Sequence, residues 1–125
     1  MKYLLDSNVL IYAARPAPPY TLMRTWLERA DACVSAITLV EVLGFANLHL
    51  EDELFFSIAF DFLPQRAITT EVLKRAVQVR QQFRLKTPDA VVAATALVHG
   101  LELVTADAAF ARVAGLTVIN PLLTA

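Results

Sequence analysis

The chain has 125 residues, with 57% of them apolar and a formal net charge of −1. That size is one domain, residues 1–125, with enough chain for a core without staples. An apolar share above the usual ~45–50% at so small a net charge excludes a disordered or tail-like polyelectrolyte. A single cysteine, Cys33, rules out an intrachain disulfide and fits a reducing, cytoplasmic setting. Asp6 interrupts the N-terminal apolar run too early for a signal peptide. The longest uncharged apolar stretch, Ala90 to Val98, is far short of the ~20 residues of a membrane span.

Taken in order, Tyr3 to Leu5 reads as the end of a buried strand that stops on Asp6, followed by helix-entry residues Ser7 and Asn8 and a short helix over Val9–Ala14. A carboxylate at that place lies either at the open end of a parallel sheet, where α/β proteins put their chemistry, or simply at a helix cap. Arg15 to Pro19 holds three prolines and is expected to be loop. The spacing predicts an amphipathic helix over Tyr20–Asp31 with Leu22, Trp26 and Leu27 on one side. Cys33 to Ala36 reads as a second strand.

Thr38-Leu-Val-Glu41 opens the next helix, and its spacing matches a capping box in which Glu41 turns back to the Thr38 amide. That helix is expected to run to about Leu48, and a second from about Glu51 to Phe62. Five of the seven Phe fall between Phe45 and Phe62, which means either a crowded core or an apolar surface for a partner. Arg66–Ile68 reads as a third strand. Thr69 or Thr70 caps a helix running to Arg84, with Val72, Ala76, Val79 and Phe83 as its buried stripe. Lys74, Arg75, Arg80, Arg84 and Lys86 follow with no acid among them up to Pro88, although helical spacing keeps them from forming one stripe.

Thr87-Pro-Asp89 has the form of a helix start, with Thr87 capping, Pro88 in the first position and Asp89 in the first turn. The helix through Leu97 is apolar nearly all round and should be buried. Leu101–Val104 reads as a fourth strand ending at Thr105-Ala-Asp107, Ala108–Val113 as a short helix, and Val118–Ile119 as a fifth strand. Alternation of this kind predicts an α/β fold, with a parallel sheet of about five strands and helices on both faces.

In that arrangement Asp6, Glu41, Asp89 and Asp107 converge on one rim of the sheet. Carboxylates brought together repel, so such a cluster calls for a cation, and oxygen-only donors select Mg²⁺ or Mn²⁺. His49 and His99 are isolated, which leaves no zinc set, and three glycines supply no phosphate-binding loop. An acid cluster with a hard cation suits phosphodiester hydrolysis. Arg15, Arg24, Arg84 and Lys86 are the cations expected to hold the phosphate chain.

Four segments carry a family resemblance: Leu4-Leu-Asp-Ser-Asn-Val-Leu-Ile11, Thr38-Leu-Val-Glu-Val42, Thr87-Pro-Asp-Ala-Val-Val-Ala-Ala-Thr-Ala96 and Leu103-Val-Thr-Ala-Asp-Ala-Ala-Phe110. In order and spacing they resemble the four motifs of PIN domains, over essentially the whole chain. Each motif is weak alone; together they are specific. The length looks most like the VapC toxins of toxin–antitoxin pairs. The resemblance implies a PIN-like three-layer sandwich with strand order 3-2-1-4-5. It implies a Mg²⁺- or Mn²⁺-dependent endoribonuclease that cuts RNA with a metal-activated water, is held inactive by a VapB-like antitoxin, and is usually a homodimer. Asp6, Glu41, Asp89 and Asp107 would be the metal-binding acids, with Asn8 and Thr105 as supporting polar residues. One departure is Ala106, where many members carry Asn. Two other classes are a catalytically silent PIN-like binding module and a Mg²⁺-dependent phosphotransfer domain. Against the second, Asp6-Ser-Asn8 lacks a second Asp two residues on, and no Lys follows Lys86.

Overall fold

The computed structural model describes residues 1–15, 17, 18 and 20–123, together with the backbone but not the side chain of Thr21. Pro16 and Pro19 of the expected proline loop lie outside the described residues.

Five short strands form a parallel sheet: β1 (Tyr3–Leu5), β2 (Ala32–Ser35), β3 (Gln65–Arg66), β4 (Glu102–Val104) and β5 (Val118–Ile119), in the order β3-β2-β1-β4-β5. Leu5 pairs with Val104 and Leu4 with Cys33, so β1 is the centre of the sheet. Strand alternation sends successive residues to opposite faces, and both faces are covered. Leu4, Cys33 and Leu103 pack with helices α5 (Thr70–Phe83) and α6 (Thr87–His99) on one side. Leu5, Val34 and Val104 pack on the other with α1 (Ser7–Ala13), Met23, Val42 of α3 (Ile37–Leu43) and Phe56 and Phe60 of α4 (Leu50–Phe62). This is a three-layer α/β sandwich of the expected order.

The elements form close to where the pattern asks for them; β3 lies at Gln65–Arg66 rather than Arg66–Ile68, since pairing with Val34 and Ser35 sets its register, and four larger departures stand beside it. The single helix expected over Tyr20–Asp31 is a 3₁₀ turn, Tyr20–Met23, followed by one turn of α-helix, α2 (Arg24–Leu27). Trp26 and Leu27 are half-buried, but Leu22 is exposed and Met23 takes the core position instead. α3 begins at Ile37, so Thr38 lies inside the helix and the Thr38–Glu41 capping box is not made. The α3 helix also stops at Leu43, five residues before the expected Leu48. Finally, the residue capping α6 is Lys86, with Thr87 already helical and no side chain accepting from the first turn. α5 does begin as expected: Thr69 accepts from the Val72 amide at 3.2 Å. The stripe Val72, Ala76 and Val79 is buried, with Phe83 half-buried at its end.

Among the Phe residues, Phe56 and Phe60 are core, Phe55 is half-buried, and Phe45 and Phe62 are exposed. The Phe-rich stretch therefore divides between core and exposed apolar surface. Along α4, Leu50, Leu54, Ile58 and Phe62 recur every fourth position and all face solvent, at 79, 60, 48 and 77% exposure. Beside them, Leu27, Phe55, Ile58 and Phe62 with Arg24 and Arg29 line a groove of about 680 Å³.

Candidate active site

Because every strand is parallel, every strand's C-terminal end faces the same rim. Asp6 follows β1 there, and Thr105 and Asp107 follow β4. Glu41 comes to the rim from α3 after β2, and Asp89 from the first turn of α6.

Asp6 is the most enclosed of the acids, at 3% exposure. Its Oδ1 accepts from the Ser7 amide at 2.9 Å. Its Oδ2 accepts from the Thr105 hydroxyl at 2.8 Å and from Asn8 Nδ2 at 3.1 Å. Asn8 Nδ2 also donates to Thr105 Oγ1 at 2.9 Å, and Asn8 Oδ1 accepts from the Ala106 amide at 3.1 Å. Asn8 and Thr105 thus lock β1 to β4 at the rim and aim Asp6. Ala106 takes part through its backbone alone. Asp107 caps a 3₁₀ turn, Ala108–Arg112, accepting from the Ala109 amide at 2.9 Å.

The charges at the rim act on one another. Burial pushes the Asp6 carboxyl up to about 6, and the nearby charges of Asp89 and Asp107 add to that, while the Thr105 and Ser7 hydrogen bonds hold it down. Burial pushes Glu41 up to about 7, with Asp6 and Asp89 contributing. Asp89 is raised by burial and by Asp107, and Lys86 opposes the rise. Asp6, Glu41 and Asp89 are thus each raised with a neighbouring acid among the causes, and the charge of Asp107 acts on two of them; perturbed carboxylates that feel one another are a mark of functional sites.

Among the described residues none of these acids takes part in a salt bridge; the pairs present are Lys2–Glu102 and Arg29–Asp31. Glu41 Oε1 is buried without a hydrogen-bond partner, and so is Thr38 Oγ1 one turn before it. A buried carboxylate oxygen with no donor is costly unless something positive meets it. No group of three or more Asp, Glu, His or Cys among the described residues is already arranged to hold a metal ion. The donor set nonetheless fits a hard divalent cation in kind: it is all oxygen, mutually repulsive, unpaired, and carries one orphaned acceptor.

The basic residues divide. Lys86 stands at the cap of α6, three residues before Asp89, and its charge reaches that acid. Arg84 lies two residues earlier in the same connection. Arg24 is occupied elsewhere: its Nε donates to the Ala13 carbonyl at 2.8 Å and its guanidinium lies over the Phe55 ring at 5.2 Å. Arg15 lines a smaller cavity with Phe45, Leu48 and Asp52. The sequence marks Ser7 only as a helix-entry residue and Thr38 only as a cap; that the Ser7 amide fixes Asp6, and that the Thr38 hydroxyl is buried without a partner among the described residues, carries no signal in side-chain charge or spacing.

A parallel five-stranded sandwich with four carboxylates at the C-terminal rim of its sheet defines the class. The chain belongs to the PIN domain family, whose model matches residues 3–116. It is similar to the tRNA(fMet)-specific endonuclease VapC of Salmonella typhimurium (strain LT2), at 27% identity over 127 residues, covering 94% of this chain and 96% of that protein. Its fold is similar to that in a toxin–antitoxin complex from Klebsiella pneumoniae, with a TM-score of 0.79 at 30% identity, covering 96% of this chain and 98% of that one. A DNA-bound VapBC from Salmonella typhimurium superposes with a TM-score of 0.78 at 25% identity, over 97% of this chain and 98% of that one.

Proposed function

We propose that this protein is a metal-dependent endoribonuclease of the VapC kind, the toxin of a toxin–antitoxin pair. The observation that carries this reading is the set of four carboxylates brought to one rim, acting on one another and, among the described residues, in no salt bridge. Asp6, Glu41, Asp89 and Asp107 would hold Mg²⁺ or Mn²⁺. Such an ion, when bound, lowers the pKa of a water and offsets charge on the phosphodiester. The chain's own residues do the rest. Thr105, Asn8 and the Ser7 amide fix Asp6 in one orientation. Glu41 Oε1 is buried with no hydrogen-bond partner among the described residues, and burial with the charges of Asp6 and Asp89 raises its carboxyl to about 7, so its anionic form is one that a bound cation would favour. The relative named for tRNA(fMet) makes an initiator tRNA the first substrate to try.

Purified protein with Mg²⁺ or Mn²⁺ should cut RNA at one or few sites, leaving 5′-phosphate and 3′-hydroxyl ends, and EDTA should abolish cutting. Products ending in 2′,3′-cyclic phosphates would overturn the water mechanism. An intact tRNA and no metal-dependent heat signal on titration would instead support the silent binding module.

The partner reading follows from the similar toxin–antitoxin complexes and from α4. A solvent-facing row of Leu50, Leu54, Ile58 and Phe62 beside the α2–α4 groove is the kind of apolar surface a partner covers. We assign it to the antitoxin; self-association to a homodimer is read separately by light scattering of the toxin alone.

A further inference from the structure

α5 and α6 are joined by only three residues, Arg84-Leu85-Lys86. Leu85 is buried, at 4% exposure, and pins the connection to the core. Its two neighbours are exposed cations. Neither side chain takes part in any ion pair or hydrogen bond among the described residues, and the charge of Lys86 acts on the rim acid Asp89.

Arg84 carries a second peculiarity. Its φ is +55° and its ψ +37°, which makes it the one non-glycine residue in the left-handed region among the described residues. Its amide still closes α5 onto the Arg80 carbonyl at 3.0 Å. Glycine ordinarily fills such a helix-ending position because a side chain there is strained. At the end of α6 the chain does use glycine, Gly100, for the same task. At the end of α5 it keeps an arginine instead, with no side-chain hydrogen bond or ion pair among the described residues to compensate.

We propose that Arg84 and Lys86 grip the RNA phosphate chain directly beside the carboxylate rim, as the substrate-positioning cations of this site. The inference rests on the ribonuclease reading above. A rim of four acids repels a polyanion, so the phosphates flanking the scissile bond need fixed positive charge close by. A three-residue connection anchored by a buried leucine fixes where both cations leave the backbone, three and five residues before Asp89. Arg24 differs from them in being engaged already, with the Ala13 carbonyl of α1 and the Phe55 ring.

The test measures binding and cutting separately. A fluorescent RNA stem-loop is titrated in Mg²⁺ at several salt concentrations, in a Glu41→Gln background that keeps the RNA intact. The variants are Arg84→Gly, Lys86→Gln and Lys86→Arg, with Lys2→Gln as control. Lys2 lies before β1 at the far end of the sheet and is paired with Glu102. Arg84→Gly and Lys86→Gln should each weaken binding several-fold and flatten the slope of log affinity against log salt by about 0.7–0.9. Lys86→Arg should restore the slope, and Lys2→Gln should leave it unmoved. In the wild-type background, both losses should appear in KM more than in kcat. Arg84→Gly should at the same time raise Tm, because glycine relieves the left-handed strain. A higher Tm with unchanged RNA affinity would mean Arg84 is merely tolerated, and would overturn the proposal. So would variants that lose antitoxin affinity but bind RNA normally, or a parent protein that does not bind RNA. RNA bound with the expected slopes but never cut would sink the ribonuclease reading and leave the grip standing.

Discussion

The Thr105 hydroxyl donates to Asp6 Oδ2 at 2.8 Å although 99 positions separate the two residues. The contact follows from the sheet: Leu5 and Val104 are register partners on neighbouring parallel strands, so the next residue of each leaves the sheet side by side. Thr105 is 1% exposed, and its oxygen also accepts from Asn8 Nδ2 at 2.9 Å and from the Asp107 amide at 3.1 Å. One hydroxyl thus orders three of the groups at the rim.

Thr105→Val keeps the shape and removes that hydroxyl. It leaves the Asn8 amide and the Asp107 N–H each short of an acceptor, which should cost about 1–3 kcal/mol in a urea melt. The Thr105 bond holds the Asp6 carboxyl down, so its loss lets the pKa climb further above about 6. The acid limb of the pH–rate profile should move to higher pH. Thr105→Ser should return both stability and profile toward the parent; a Val variant with an unshifted acid limb would show that Asp6 is not among the groups titrating in that limb.

Neutralising each acid separates metal binding from stability, and the structure orders the four variants. Glu41→Gln is the cleanest: no capping box is made and Oε1 has no partner to lose. Metal-free Glu41→Gln and Asp89→Asn should melt at or above the parent, because repulsion is relieved. Asp107→Asn retains an oxygen for the Ala109 amide and should be near neutral. Asp6→Asn differs. Its two oxygens accept three hydrogen bonds, and an amide group would face donors on the Asn8 and Thr105 side. It should melt below the parent by an amount on the order of 1–2 kcal/mol. All four should lose RNA cleavage, and added Mg²⁺ should raise Tm of the parent but little of theirs. Calorimetry in EDTA and in excess Mg²⁺ decides it; Glu41→Gln melting well below the parent in EDTA would make Glu41 a structural residue.

The strand order, the buried α6 and the stripe of α5 were legible because hydrophobic periodicity and strand–helix alternation determine them with few alternatives. The four acids could be placed at one rim for the same reason, since parallel strands leave no other end for Asp6 and Asp107. Legibility failed where a local signal competed with packing. Thr-x-x-Glu has the form of a capping box, but β2 ends at Ser35 and α3 starts at once, which puts Thr38 inside the helix. The amphipathic spacing of Tyr20–Asp31 placed Leu22 inside, whereas a 3₁₀ turn shifts the phase and puts Met23 there. The hydrogen bonds of Asn8, and the left-handed Arg84, depend on coordinates that no periodicity encodes.

On α4, Leu54→Asp and Ile58→Asp should change stability by no more than about 0.5 kcal/mol, since both side chains are exposed. They should weaken association with the antitoxin at least tenfold by calorimetry. Phe56, 3% exposed in the core, makes the contrast: Phe56→Ala should cost about 3–5 kcal/mol in folding. Normal antitoxin affinity in both aspartate variants would exclude this face from the interface.

The coupled acids also fix how metal-free stability depends on pH. The carboxyls of Asp6 and Glu41 are raised in the folded protein, to about 6 and about 7, above their ordinary 3.8 and 4.5. Between those ranges the folded state binds more protons than the unfolded chain, so stability must fall as pH rises. The stabilising contribution is complete below about pH 4, declines across roughly pH 4–7, and is gone above that window. For the largely buried Asp6, the displacement corresponds to on the order of 2–3 kcal/mol. In EDTA, Tm should therefore be higher at pH 5 than at pH 7.5, the reverse of a protein held by salt-bridged carboxylates. Glu41→Gln should flatten the upper part of this slope and Asp6→Asn the lower part. Mg²⁺ should reverse the trend, because its affinity for the site requires the acids deprotonated and grows with pH. Thermal melts of the parent and both variants from pH 4.5 to 8, with and without Mg²⁺, test every step. A metal-free Tm that rises with pH across that range would mean the acids are stabilised as anions by the protein itself, and the case for a cation at this rim would fall.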